Sequence, residues 1–303
     1  MKKIKNLFLF FVLVFCTHSY AMYFCTAANS DYFFHLINLI GSIHKTNFDN
    51  LSEITVFDLG LTENQKKYLT HIHKLRLLPV ELTHPGLLTP YATRSWGKPV
   101  PGCYAWKPVI IKQALELYPL VVYIDAGTTV LQPLDNLFKY IQEKNYFFHN
   151  GSDWCLRKET TQYVIDHFKL NTLENRWLLD DNTFGLEAGL MGITRALWDD
   201  FIFPMYELTK NLDYFVDDGT VPGGFGNSRH DLTLFSIFAL KNNYTIHHHF
   251  KDPHDPCWLE TSRGTIPLYI ACVPEGVTSF TSIYCSRHDL NSLSEYIKYI
   301  RVS

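Results

Sequence analysis

The chain has 303 residues, with 27 lysines and arginines against 30 aspartates and glutamates, a net charge of −3 and 19% charged residues. A hydrophobic share of 47% can bury a sizeable core and excludes intrinsic disorder. There is no basic excess to neutralise a phosphate backbone, so nucleic acid is not an expected partner.

The N-terminus reads as a secretory signal peptide over residues 1–21. Lys2, Lys3 and Lys5 form a basic head, Leu7–Phe15 is an unbroken apolar run, and Ser19-Tyr20-Ala21 places small residues at the −3 and −1 positions of a cleavage site. The run is shorter than the ~20 residues a membrane-crossing helix needs. The expectation is a chain starting near Met22, exported to a periplasm, an endomembrane lumen or the medium. Six cysteines then remain: Cys25, Cys103, Cys155, Cys257, Cys272 and Cys285. An oxidising compartment permits disulfides among them, with the pairing left open, and no Cys-x-x-Cys points to a zinc knuckle.

From Met22 onward the spacing predicts strands alternating with helices. Met22–Ala27 is a short apolar strand, and Ser30 is placed to cap a helix whose Phe33, Leu36, Ile37 and Ile40 share one face. Ile54–Phe57 is a β-branched strand closing on Asp58 and a turn at Gly60, and Leu75–Leu82 fits a third strand. Pro108 marks the start of a helix carrying Ile110, Ile111, Ala114, Leu115 and Tyr118, stopped by Pro119. Leu120–Ile124 is apolar on both faces, as a central parallel strand covered by helices would be. Leu134, Leu137, Phe138 and Ile141 mark a further helix. The pattern predicts one α/β domain over residues 22–303, with a mixed, mostly parallel sheet and helices on both faces. Such sheets bind ligands at the carboxyl ends of their strands, which points to Thr26, Ala27, Ala28, Asp58 and Asp125. Two long loops, Pro85–Gly102 and Asp217–Gly226, fit lids or plain surface excursions.

Five segments in order resemble the GT-A glycosyltransferases, in the branch of glycogenin-like and bacterial galactosyltransferase enzymes. They are residues 23–32 (YFCTAANSDY) with 56–61 (VFDLGL), Tyr104-Ala105-Trp106-Lys107-Pro108, residues 122–127 (VYIDAG), residues 187–192 (EAGLMG) and residues 229–234 (RHDLTL). The third falls where the branch carries Asp-x-Asp. The Tyr-Ala-Trp-Lys-Pro and Arg-His-Asp segments are most similar to a GT-A-like group in which that motif is degenerate. The resemblance implies a GT-A (Rossmann-like) fold and transfer of a sugar from a UDP- or GDP-sugar to a glycan, protein or lipid acceptor.

It also implies roles for particular residues. The nucleoside would sit at Thr26, Ala27, Ala28 and Asp31, with Asp58 and Trp106 on the donor side. The diphosphate would lie near Asp125 and Gly127, with Lys107 and Arg229 as candidate cations. Glu187 and Asp231 would flank the transferred sugar as catalytic carboxylates. Departure of a diphosphate develops negative charge, which a Mn2+ or Mg2+ held by carboxylates offsets, or which a cationic side chain offsets without metal. Asp125 and His288 are the metal-ligand candidates. Two departures bear on activity: Gly127 stands where the family has the last Asp of its motif, and Leu232 where it has a Gln near the sugar. At the head of its helix, Asp231 also suits a cap.

Two rival readings follow. The same fold could bind nucleotide sugars or glycans without turnover, as Gly127 and Leu232 suggest. The run His247, His248 and His249, with Asp252, His254 and Asp255 nearby, fits either hydrogen-bonded histidines or the metal shell of a hydrolase. The glycines at 223, 224 and 226 are not a phosphate loop, because no Lys-Ser/Thr ending follows them.

Overall fold

The segment with no polar position becomes the middle of the sheet. The computed structural model describes residues 21–92, 99–130, 132–150, 154–248 and 296–302, together with the backbone of four short strands between 258 and 282. Seven strands form the main sheet: β1 (Met22–Ala28), β2 (Leu51–Asp58), β3 (Leu75–Pro79), β4 (Leu120–Ile124), β5 (Tyr146–Asn150), β6 (Leu190–Thr194) and β7 (Ile246–His248). Their order is β3-β2-β1-β4-β6-β5-β7. All run parallel except β6, which pairs antiparallel with both β4 and β5. All five residues of β4 are buried. It is parallel to β1 on one side and antiparallel to β6 on the other, within the mixed, mostly parallel sheet that the sequence pattern predicts.

The period-two alternation of β4 explains why both faces are covered. Leu120, Val122 and Ile124 face a core built with α1 (Phe33–Asn47) and α4 (Asp135–Lys144), where Leu36, Ile40, Phe138 and Ile141 pack. Val121 and Tyr123 face a second core with α3 (Trp106–Leu117), which also takes in Met205, Leu234 and Phe235 from two later helices. Between β2 and β3 lies α2 (Glu63–Leu69), and after β5 come α5 (Leu156–Glu159), α6 (Gln162–His167), α7 (Phe203–Leu208) and α8 (Asp231–Lys241). A Cβ on Gly192 of β6 would lie 2.2 Å from Ile141 Cδ1, so the missing side chain lets α4 sit close against the sheet.

Three boundaries differ from expectation. Asn29, not Ser30, caps the chain's entry to α1: its side chain accepts from the Tyr32 amide at 3.2 Å, and Ser30 lies inside a single 3-10 turn. β3 ends at Pro79, where its partner Asp58 turns away, so residues 80–82 have no strand to pair with. α3 begins at Trp106, which puts Pro108 in its first turn, where a missing N–H costs nothing. Residues 1–20 of the signal segment, residues 249–257, Cys272, Cys285 and His288 lie outside the described residues. Cys25, Cys103 and Cys155 are buried free thiols.

Candidate active site

One ammonium gathers three parts of the chain. Lys107, in the first turn of α3, is only 2% exposed. Its Nζ lies 2.8 Å from Asp231 Oδ2, donates to the Ala188 carbonyl at 3.1 Å, and stands 3.6 Å from Asp125 Oδ1. Asp125 follows the last residue of β4, Ala188 precedes β6, and Asp231 is the first residue of α8. The sheet order places β4 and β6 side by side, so the carboxyl end of one meets the approach to the other.

The backbone that delivers these groups is strained. Gly102, Cys103 and Tyr104 have φ of 51°, 48° and 66°, three left-handed residues in a row before α3. Gly102 cannot be replaced cheaply, because a Cβ there would lie 2.1 Å from the Leu87 carbonyl oxygen. His230, just before Asp231, has φ 46° and ψ −116° and gives α8 no side-chain cap. Its Nδ1 lies 2.6 Å from the Phe215 carbonyl oxygen, which fixes the ring. Strain of this kind persists only where the surroundings over-determine it. Here they aim Lys107 and Asp231 at each other. The helix-cap role for Asp231 gives way, since its carboxylate turns to Lys107 rather than to the helix amides.

Asp217 supports the same corner. Its Oδ2 accepts from the amides of Gly226 at 2.7 Å and Ser228 at 3.1 Å, and its Oδ1 from Gly219 at 2.9 Å. The glycine-rich loop is therefore wound around one carboxylate on its way to α8. Sequence reasoning assigned no role to Asp217, although an aspartate two residues before a glycine is a turn signal that could have found it. Tyr123 was missed too. It points to the same face as Asp125, and its hydroxyl donates to Asp125 Oδ1 at 2.5 Å.

The electrostatics follow from burial. Desolvation works against the charge on Lys107, but Asp125 and Asp231 outweigh it and the pKa moves up, so the ammonium keeps its proton. Burial raises the Asp231 pKa despite Lys107, and burial together with Asp125 holds the Tyr123 phenol well above its ordinary value. Burial pushes the Cys103 thiol up to about 12, which leaves it unreactive at neutral pH. Asp125 keeps 18% of its side chain exposed and Asp231 none, so Asp125 is the cluster's outward member.

The other expected residues divide by position. Thr26, Ala27 and Ala28 are buried at the carboxyl end of β1, and Thr26 Oγ1 has no hydrogen-bond partner among the described residues. Trp106 is 6% exposed with its indole N–H unpaired among the described residues. Glu187 is half-buried, and its amide donates to the His149 carbonyl at 2.8 Å. Gly127 is buried just past β4 and Asp31 is exposed before α1. Asp58 closes its own turn, accepting from Gly60 and Leu61 amides and pairing with Lys66 at 2.8 Å. The Arg229 guanidinium is committed to Glu159, so the cation between the site carboxylates is Lys107 and not Arg229.

Among the described residues the donor set does not fit a divalent ion; His288, the other expected ligand, lies outside them. Gly127 removes one carboxylate, Asp231 is sealed against an ammonium, and Asp125 lies beside the same ammonium. Among the described residues no group of three or more histidines, cysteines or acids could hold a metal. His247 is a core residue: its Nε2 lies 2.8 Å from the Tyr140 hydroxyl and its ring stacks on Phe147. His247 thus serves the core; of the rest of the hydrolase run only the backbone of His248, in β7, is described, and His249, Asp252, His254 and Asp255 lie outside the described residues.

No family model and no curated protein matches the chain. Among solved structures, the mannosyltransferase Ktr4p of S. cerevisiae aligns with a TM-score of 0.50 and 12% identity over 77% of this chain and 71% of its own. The galactosyltransferase LgtC, solved with donor and acceptor sugar analogues, aligns with a TM-score of 0.48 and 12% identity over 93% and 97%. The match to an active-site mutant of LgtC spans 65% of that chain, under two thirds. Core-mannan synthase A of Aspergillus fumigatus, in its Mn/GDP form, aligns with a TM-score of 0.46 and 12% identity over 75% and 72%. At these identities the likeness concerns architecture alone, and that architecture is the GT-A-type mixed α/β fold.

Proposed function

We propose that this chain is a glycosyltransferase acting on a nucleotide-diphosphate sugar, exported through the secretory pathway. The observation that carries the reading is the convergence of Asp125, Ala188 and Asp231 on Lys107 at the carboxyl end of β4. Open α/β sheets bind their ligands at that end. The nucleoside lies against Thr26, Ala27, Ala28 and Asp31, with Trp106 offering an indole N–H that is unpaired among the described residues, and the diphosphate lies over Asp125 and Gly127. Glu187 faces the transferred sugar, where a half-buried carboxylate can offset positive charge developing on the reacting carbon. Asp231 has no exposed surface, so it acts by holding Lys107 and not by touching the sugar. Among the described residues no helix is long and apolar enough to cross a membrane.

Calorimetric titration with UDP- and GDP-sugars, followed by an assay for nucleotide release with candidate acceptors, tests the proposal. The expected result is binding of one nucleotide class that Asp125→Ala weakens, and turnover that Glu187→Gln abolishes while binding survives. One observation favours a second reading, binding without turnover. Leu232 is partly buried against the core and offers no polar group where the resemblance expects one. Donor binding with no release under any acceptor would select it.

A further inference from the structure

The charge balance of the site carries one step more, resting on the transferase reading. We infer that this site brings its own cation, the Lys107 ammonium, in place of a divalent metal, and binds a nucleoside-diphosphate donor with no metal requirement. Three oxygens from three separate segments surround Lys107 Nζ at 2.8, 3.1 and 3.6 Å. That is how hard oxygen donors surround a cation, and here the cation is covalently part of the chain.

Two of the three segments are held by more than Lys107. The Asp125 amide donates to the Gly189 carbonyl at 2.8 Å, Tyr123 holds the Asp125 carboxylate, and the strained His230 backbone sets Asp231. A divalent ion would have to share these carboxylates with an ammonium a few ångströms away, and like charges so close in a poorly solvated site repel strongly. Gly127 supplies no carboxylate to compensate. Lys107 reaches the donor through Asp125: shared between that carboxylate and Asp231, its charge reduces, without cancelling, the repulsion that Asp125 would set against a diphosphate. It is thus a positioning residue, and a fixed charge of this kind needs no reorganisation when the donor binds.

The test uses the full-length chain, so His288 and every residue outside the described segments take part. Binding of UDP- and GDP-sugars is measured by calorimetry in EDTA and in Mn2+, and Mn2+ binding to the protein alone by electron paramagnetic resonance. The inference predicts equal affinity in both buffers and no protein-bound Mn2+. Lys107→Met should weaken binding by about tenfold or more, the scale of one lost charge interaction, while Lys107→Arg stays closer to wild type. A tenfold or larger gain with Mn2+, on the same scale of about one charge interaction, would overturn it. So would one Mn2+ per chain that is lost in Asp125→Asn. If Lys107→Met does not fold, the two wild-type measurements decide. If no nucleotide binds in either buffer, the transferase reading falls, and the Mn2+ resonance still decides the cation claim by itself.

Discussion

Two lysine–aspartate pairs in this molecule have the same length and opposite characters. Asp58–Lys66 and Asp231–Lys107 are both 2.8 Å apart. The first lies near the surface at the end of β2, with side-chain exposures of 20% and 32%, and the second is sealed, with 0% and 3%. Water screens the first pair and already satisfies its members separately, so its net contribution is small. The second pair had to leave water entirely, and each partner now depends on the other. The lesson is that geometry alone does not rank an ion pair. Burial does, and the buried pair sits at the candidate site with strained backbone on both approaches.

The largest test of this contrast is Lys107→Met. It leaves Asp231 buried without its counter-ion and should lower the unfolding free energy by about 3–5 kcal/mol in urea denaturation. Adding Asp231→Leu should recover much of that loss, because both charges are then gone. A loss under about 1 kcal/mol would place the pair in the surface class and break the comparison.

The next effect concerns the entry to α3. Gly102→Ala forces a Cβ against the Leu87 carbonyl at a left-handed position and should cost about 1–3 kcal/mol in thermal unfolding. Gly224 is also left-handed, with φ 75°, but has open space around it. Gly224→Ala should therefore show only the backbone cost of about 1 kcal/mol. Equal losses would mean that the close approach at Leu87 contributes nothing.

The two aspartates should also respond to acid with opposite signs. At Asp58 burial acts to raise the pKa, but the Lys66 hydrogen bond and the Leu61 and Gly60 amides prevail, and the folded value lies below 3.8. Its contribution is present above 3.8 and is lost as pH falls through the folded value. Burial raises Asp231 above 3.8, so its contribution is present below that value and is lost as pH rises through the folded one. Urea unfolding from neutral pH into acid should show the gap between wild type and Asp58→Asn narrowing, and the gap to Asp231→Asn widening. Parallel trends would contradict the assignment of burial as the dominant cause at Asp231. The smallest expected effect is Lys66→Ala, for which urea denaturation should show no resolvable change.

The sheet was largely legible in the sequence because burial writes itself as pattern. Leu120–Ile124 is apolar at every position, and the helix face of Leu36, Ile37 and Ile40 repeats at helical spacing. Edges were less legible: nothing in Leu75–Leu82 reveals that its partner strand turns away at Asp58. The site was readable only in outline. The resemblance named Lys107, Asp125 and Asp231 together, but a lysine among apolar helix residues carries no sign of being buried. Arg229, equally charged, proved to serve Glu159 instead. Tyr123 was hidden because a tyrosine in an apolar strand reads as core, and Asp217 because its partners are backbone amides that no side-chain pattern records.

The central claim is that the carboxyl end of β4 is where a nucleotide diphosphate binds. A crystal structure of the chain soaked with its nucleotide sugar tests this most directly. The account predicts the diphosphate over Asp125 and Gly127, the sugar toward Glu187, and the Lys107–Asp231 pair intact beneath them. A nucleotide bound at any other place on the sheet, with Asp125 closed off from it, would contradict the account.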